Sequence, residues 1–115
     1  MRIALIAGMT LALSTAAFAQ SLSGDQIRTT LVGNTFSGVA DGESYTEHLN
    51  PDGTISGRSP SGAYSGKWRI SGNEICFSYM EGKQDTKWDC TKVKLRGARI
   101  IWDDKTTAKL SEGTR

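Results

Sequence analysis

One histidine, two cysteines and two prolines are all that the 115 residues hold of those three types, and each scarcity excludes something. Two cysteines and His48, far apart in sequence, fall short of a zinc ligand set. No C-x-x-C pair is present to suggest a redox-active thiol. His48 has Asp41, Glu43, Ser44 and Glu47 nearby, yet no nucleophile elbow or oxyanion loop accompanies it, so a serine–histidine–acid site lacks its supporting parts. There is no phosphate-binding loop, no dinucleotide fingerprint and no EF-hand spacing. No carboxylate pair stands out as a glycosidase would require. Neither sign of charge dominates: the formal net charge is +2, and basic and acidic residues are interspersed, unlike the clustered charge of a nucleic-acid footprint. The one local excess is Lys92, Lys94 and Arg96, of one parity in an expected strand, which reads as a solvated face or as a patch for an anionic partner. These absences lead to the expectation of a protein that is not an enzyme, with no cofactor and no metal.

Long hydrophobic runs are also missing, with one exception at the N-terminus. Arg2 is followed by an apolar run from Ile3 to about Leu13, then small residues ending in Ala17-Phe18-Ala19. Charge, apolar stretch and an A-x-A pattern in that order describe a secretory signal peptide. The run is too short for a membrane span, which needs roughly 20 apolar residues. The expectation is therefore cleavage before Gln20, a periplasmic or secreted location, and a single domain over residues 20–115. No second apolar segment suggests a span, and no cysteine follows the cleavage site to carry a lipid anchor.

What is present is turn chemistry and short alternating runs. Ser23-Gly24-Asp25-Gln26 fits a capping box, with Ile27 and Leu31 on one face of a short helix and Gly33 as its stop. From Asn34 the pattern predicts strands at Thr35–Ala40, Ser44–Leu49, Thr54–Arg58, Gly66–Ile70, Glu74–Met80, Thr86–Leu95, Arg99–Trp102 and Thr106–Leu110. Asn50-Pro51-Asp52-Gly53, Ser71-Gly72-Asn73 and Arg96-Gly97-Ala98 supply tight connections, and Ser59-Pro60-Ser61-Gly62 reads as a flexible loop. Strands without intervening helices give an all-β fold, a small antiparallel meander or barrel of about eight strands with a short N-terminal helix, and a sandwich as the other arrangement. Alternation assigns Phe36, Leu49, Ile55, Tyr64, Trp68, Ile70, Phe77, Val93, Leu95, Ile100 and Trp102 to the interior. Parity conflicts between Trp88-x-Cys90 and Val93-x-Leu95, which a bulge near Thr91 or Lys92 would resolve.

Cys76 and Cys90 are centred on Lys83. A hairpin turning there sets them opposite each other, where a disulfide can form across the strands. Eight short strands leave an interior that side chains fill, so a partner would use the rim: the Ser59–Ala63 loop with Arg58, Tyr64 and Lys67, and Trp88 as a separate anchor.

Leu31-Val32-Gly33-Asn34-Thr35, Pro51-Asp52-Gly53-Thr54, Gly66-Lys67-Trp68, Ile75-Cys76-Phe77 and Cys90 together resemble the pattern of small secreted proteins of Gram-negative bacteria, chiefly alphaproteobacteria, a group without an assigned function. The resemblance spans nearly all of residues 20–115 and implies an exported β-rich domain, with no catalytic residues to carry over. A looser likeness, in size and in an early tryptophan with a cysteine pair, is to periplasmic barrel inhibitors of proteases or lysozyme; their inhibitory segments are not recognisable here. The expected function is a non-enzymatic periplasmic binding or envelope-associated module, its partner an unknown protein or envelope component. An inhibitor of a periplasmic hydrolase is the first alternative and a small-molecule carrier the second.

Overall fold

The computed structural model describes residues 20–81, 84–85 and 87–113; the expected signal peptide lies outside them. Helix α1, Gly24–Leu31, starts as the capping box requires. Ser23 Oγ accepts from the Gln26 N–H at 3.2 Å, and Gln26 Oε1 accepts from the Ser23 N–H at 2.8 Å. Ile27 and Leu31 are fully buried. The Gly24 N–H donates to Asn73 Oδ1 at 2.9 Å, which pins the start of the helix to the turn between two later strands.

The strands are β1 Gln20–Ser21, β2 Thr35–Ala40, β3 Glu43–Leu49, β4 Thr54–Ser59, β5 Gly62–Ser71, β6 Glu74–Glu81, β7 Gln84–Asp85, β8 Asp89–Thr91, β9 Val93–Arg96, β10 Arg99–Trp102 and β11 Thr107–Ser111. Ten of them form one curled antiparallel sheet, a half-barrel, and β7 pairs only with the tip of β6. The count is ten rather than the expected eight for two reasons. The expected Thr86–Leu95 strand is divided at Lys92, and Gln20–Ser21 adds a short strand against β9. The division has a physical cause in pairing: β8 bonds to β6, whereas β9 bonds to β10. One continuous stretch thus changes neighbours, and the parity conflict in the sequence marks where it does so. Lys92 itself is tied down there, its N–H donating to Asp103 Oδ2 at 3.1 Å.

Two other expectations are corrected. Ser59-Pro60-Ser61-Gly62 is not a flexible loop but a tight turn, with Ser59 paired to Gly62 and the Ser61 N–H donating to Ser59 Oγ at 3.2 Å. Nor do all the inward side chains lie within the packed cluster. Ile27, Leu31, Leu49, Ile55, Trp68, Ile75, Val93 and Ile100 are buried, with Phe36 and Ala108 joining them in one cluster. Tyr64, Phe77 and Trp102, expected in the core, are only half-buried, as are Ile70 and Leu95. The α1 residues Ile27 and Leu31 belong to the packed cluster, and the half-buried aromatics instead line an open cup.

The disulfide forms as expected, but the hairpin does not keep the one expected axis: at its tip Met80 pairs with Asp85 and Glu81 with Gln84, one residue out of step with the β6–β8 register. Cys76 of β6 lies directly opposite Cys90 of β8 and is bonded to it.

Candidate functional site: an aromatic cup around Glu47

Strand β3 alternates. Tyr45, Glu47 and Leu49 point to the concave side, and Thr46 and His48 point away. That parity drives a carboxyl group into the interior beside a core leucine, and Glu47 is only 4% exposed. It is held there by two phenols. Tyr64 and Tyr79 both donate to Glu47 Oε1, at 2.8 and 2.9 Å. Among the described residues Oε2 has no hydrogen-bond partner, an expensive state for a buried carboxyl oxygen.

Glycines make this convergence geometrically feasible. All three tyrosines of the chain lie opposite a glycine on the neighbouring strand: Tyr45 across from Gly38, Tyr64 from Gly57 and Tyr79 from Gly66. The tyrosine crowds each glycine position, with the Thr107 carbonyl equally close at Gly38 and the Ser78 carbonyl the nearest atom at Gly66. A Cβ at Gly57 would collide with the Tyr64 ring, one at Gly38 would stand 2.9 Å from the Tyr45 hydroxyl, and one at Gly66 would stand 3.1 Å from the Tyr79 ring. Glu47 is itself opposite Gly57, so the missing side chain clears the path by which Tyr64 crosses from β5 to reach β3. Strand glycines of this kind mark close approach, here of a phenol to a carboxyl.

The remaining rings complete the lining. Phe36 meets Tyr45 and Trp102 edge-on, Trp102 meets Phe77, Phe77 stacks on Tyr79, and Tyr79 meets Tyr64. The six aromatics form a continuous chain around an open cavity of about 980 Å³, with Glu47 in its wall. The mouth carries Asp41, Glu43, Asp89, Asp103, Asp104 and Lys87.

Electrostatics follow from this enclosure. Burial pushes the Glu47 carboxyl above the ordinary glutamate range, and the two phenol hydrogen bonds oppose that shift without cancelling it. Tyr64 and Tyr79 are raised by burial first and by the neighbouring Glu47 second, so both remain protonated and keep donating. Tyr45 is raised by burial and by Glu47, against a lowering by its hydrogen bond with Trp102.

Of the four residues expected to form a partner site, only Tyr64 reaches this cup. Arg58 and Lys67 are exposed on the opposite pleat of β4 and β5. Trp88, 38% exposed, lies outside it with the Arg69 guanidinium 4.3 Å from its ring centroid. His48 faces away from Glu47, its Nδ1 3.0 Å from Thr35 Oγ1. Since the Thr35 hydroxyl proton goes to the Gly113 carbonyl, the imidazole is the donor in that pair. Lys94 and Arg96 lie on the exposed face of β9, and Arg96 borders a second, smaller cleft of about 680 Å³ with Arg99 and Lys109. Glu47 was missed by reading motifs, although its parity with Leu49 was a signal that could have found it.

No family model, curated protein or solved structure matches the chain.

Proposed function

We propose that this protein is a non-enzymatic binding protein that takes a small organic ligand into the aromatic cup, and that it works outside the cytoplasm after removal of residues 1–19. One observation carries the reading: six rings in contact with one another line an open cavity of about 980 Å³, and two of them hold in its wall a buried carboxyl whose second oxygen has no partner among the described residues. Small-molecule sites have this character, mostly apolar walls with a few fixed polar groups and a volume of roughly 300–1,000 Å³. Among the alternatives raised by the sequence, this arrangement favours the carrier over a hydrolase inhibitor. The turn at Pro60-Ser61 is short, and Tyr64 lies in the cup while Arg58, Lys67 and Trp88 lie outside it. Cleavage before Gln20 is compatible with the fold, because it leaves strand β1 whole and paired to Lys94 and Leu95.

A blocked mouth tests the reading. Ala40 is exposed, lines the cup and shares parity with Phe36 and Gly38, so Ala40→Trp should fill the entrance without touching the packed end. An environment-sensitive aromatic dye such as 1-aminoanthracene should bind the native protein saturably, and about tenfold or more weakly to Ala40→Trp. Equal binding by both, with equal melting temperatures, would place the dye elsewhere and remove the support for a ligand cup.

A further inference from the structure

Resting on the reading of the cup as a ligand site, we infer that its ligands are organic cations, an ammonium or amidinium group carried on an apolar body. Three features of the cup converge on that class. The first is the direction of its hydrogen bonds. Tyr64 and Tyr79 both spend their hydroxyl protons on Glu47 Oε1, so neither phenol keeps a proton to offer a ligand. When Glu47 is ionised, its Oε2 is an acceptor without a partner among the described residues. A ligand that brings N–H donors completes this set, and one that brings only acceptors does not.

The second feature is the π-surface. Cations are attracted to the faces of aromatic rings, more strongly when water is excluded. A phenol that donates to a carboxylate has a more electron-rich ring than a free one. The third feature is the charge at the mouth. Five of the six charged residues there are acidic, Asp41, Glu43, Asp89, Asp103 and Asp104, with Lys87 the sixth. The chain as a whole carries a formal charge of +2, so negative charge is concentrated at this opening against the trend of the molecule. Such a mouth raises the local concentration of cations and repels carboxylates. Glu47 Oε2 is buried in the free protein, and direct contact with it requires a side-chain shift of the kind common on binding.

Proton linkage gives the inference a second signature. Glu47 is held above the ordinary glutamate range in the free protein, chiefly by burial, and a bound cation would favour its ionised form. Binding a cation should therefore release a proton at mildly acidic pH, and affinity should rise with pH until Glu47 is ionised in the free protein. The groups facing it are Tyr45 on its own strand, Tyr64 from β5 and Tyr79 from β6, all shifted upward, and the mouth charges named above.

The test is a calorimetric titration with three probes that share one apolar body: 4-phenylbutylammonium, 4-phenylbutan-1-ol and 4-phenylbutanoate. The Trp102 indole N–H resonance is followed to report occupancy of the cup. The ammonium should bind about tenfold or more tightly than the alcohol, with the carboxylate weakest, and Glu47→Gln should remove the preference. In the native protein the ammonium affinity should rise as pH is raised above the ordinary glutamate range, while the probe keeps its charge; this arm needs no variant to fold. Alcohol or carboxylate binding as tight as the ammonium, with Trp102 responding, would overturn the cation inference and leave the cup reading intact. Failure of all three probes to move Trp102 would overturn both.

Discussion

At Glu47, burial and hydrogen bonding compete over one carboxyl group, and the outcome is measurable as stability against pH. Its folded-state value is raised, with burial the largest cause, so the folded protein holds a proton that the unfolded chain releases at lower pH. Stability attached to this group is therefore fully present below the ordinary glutamate range and declines as pH rises through the raised value. Asp52 and Asp104 act in the opposite direction and in a lower window. Each accepts from the N–H and hydroxyl of a threonine two residues on, which lowers it, and their contribution fades as pH falls below the ordinary aspartate range. Comparing Glu47→Gln with the native protein isolates the first effect. The native protein should lose stability relative to the variant as pH rises above the ordinary glutamate range, measured by urea denaturation at each pH; a difference that does not change with pH would contradict the assignment. Gly57 offers a second residue-scale check. Gly57→Ala places a methyl group in the Tyr64 ring, an overpacking cost of roughly 1–3 kcal/mol, and displaces the phenol from Glu47. Urea unfolding should show that loss, and a variant as stable as the native protein would refute the packing argument. Neither position belongs to a motif. Both were legible only as parity: Glu47 two residues before Leu49, and glycines at inward positions of strands that otherwise alternate well.

Elements whose causes are local were readable from the sequence. The capping box of α1 and the Asn50-Pro51-Asp52-Gly53 turn depend on residues a few positions apart, and the Cys76–Cys90 pairing followed from their symmetric spacing about Lys83, although the hairpin tip is one residue out of that register. The turn closes with the Gly53 N–H donating to the Asn50 carbonyl at 3.0 Å, and the Trp68 indole donates to that same carbonyl at 2.9 Å. The break between β8 and β9 was visible only as a parity conflict, because its cause is a change of partner from β6 to β10, set by the whole sheet. The flexible loop expected at Ser59–Gly62 failed for a related reason. Turn residues announce that the chain reverses, while the length of the paired strands on either side decides how tightly. At this scale the disulfide is the staple that fastens β8 to β6. Replacing both cysteines with alanine should lower stability by about 3 kcal/mol in chemical denaturation. Thiol labelling of the native protein without reductant should find no reactive cysteine, and two labelled sites would contradict the bond.

For the molecule as a whole, the ends of the curled sheet have different work. The packed cluster of Ile27, Leu31, Leu49, Ile55, Trp68, Ile75, Val93 and Ile100 supplies burial, and the aromatic cup supplies a surface that the fold does not need to fill. Sequence alternation identified which residues face inward, but not whether their volumes meet in the middle; a count of bulky residues suggested that they do. The three tryptophans now sit in three distinct environments. Trp68 is in the core, Trp88 lies on the outside against Arg69, and Trp102 is in the cup. Their indole N–H resonances are therefore separate reporters for an interior ligand and for a surface partner. Titration of 15N-labelled protein with an apolar amine such as 4-phenylbutylammonium should shift the Trp102 resonance saturably and leave Trp88 in place. Movement of Trp88 with Trp102 fixed, or no movement of Trp102 at any concentration, would contradict a ligand site inside the cup.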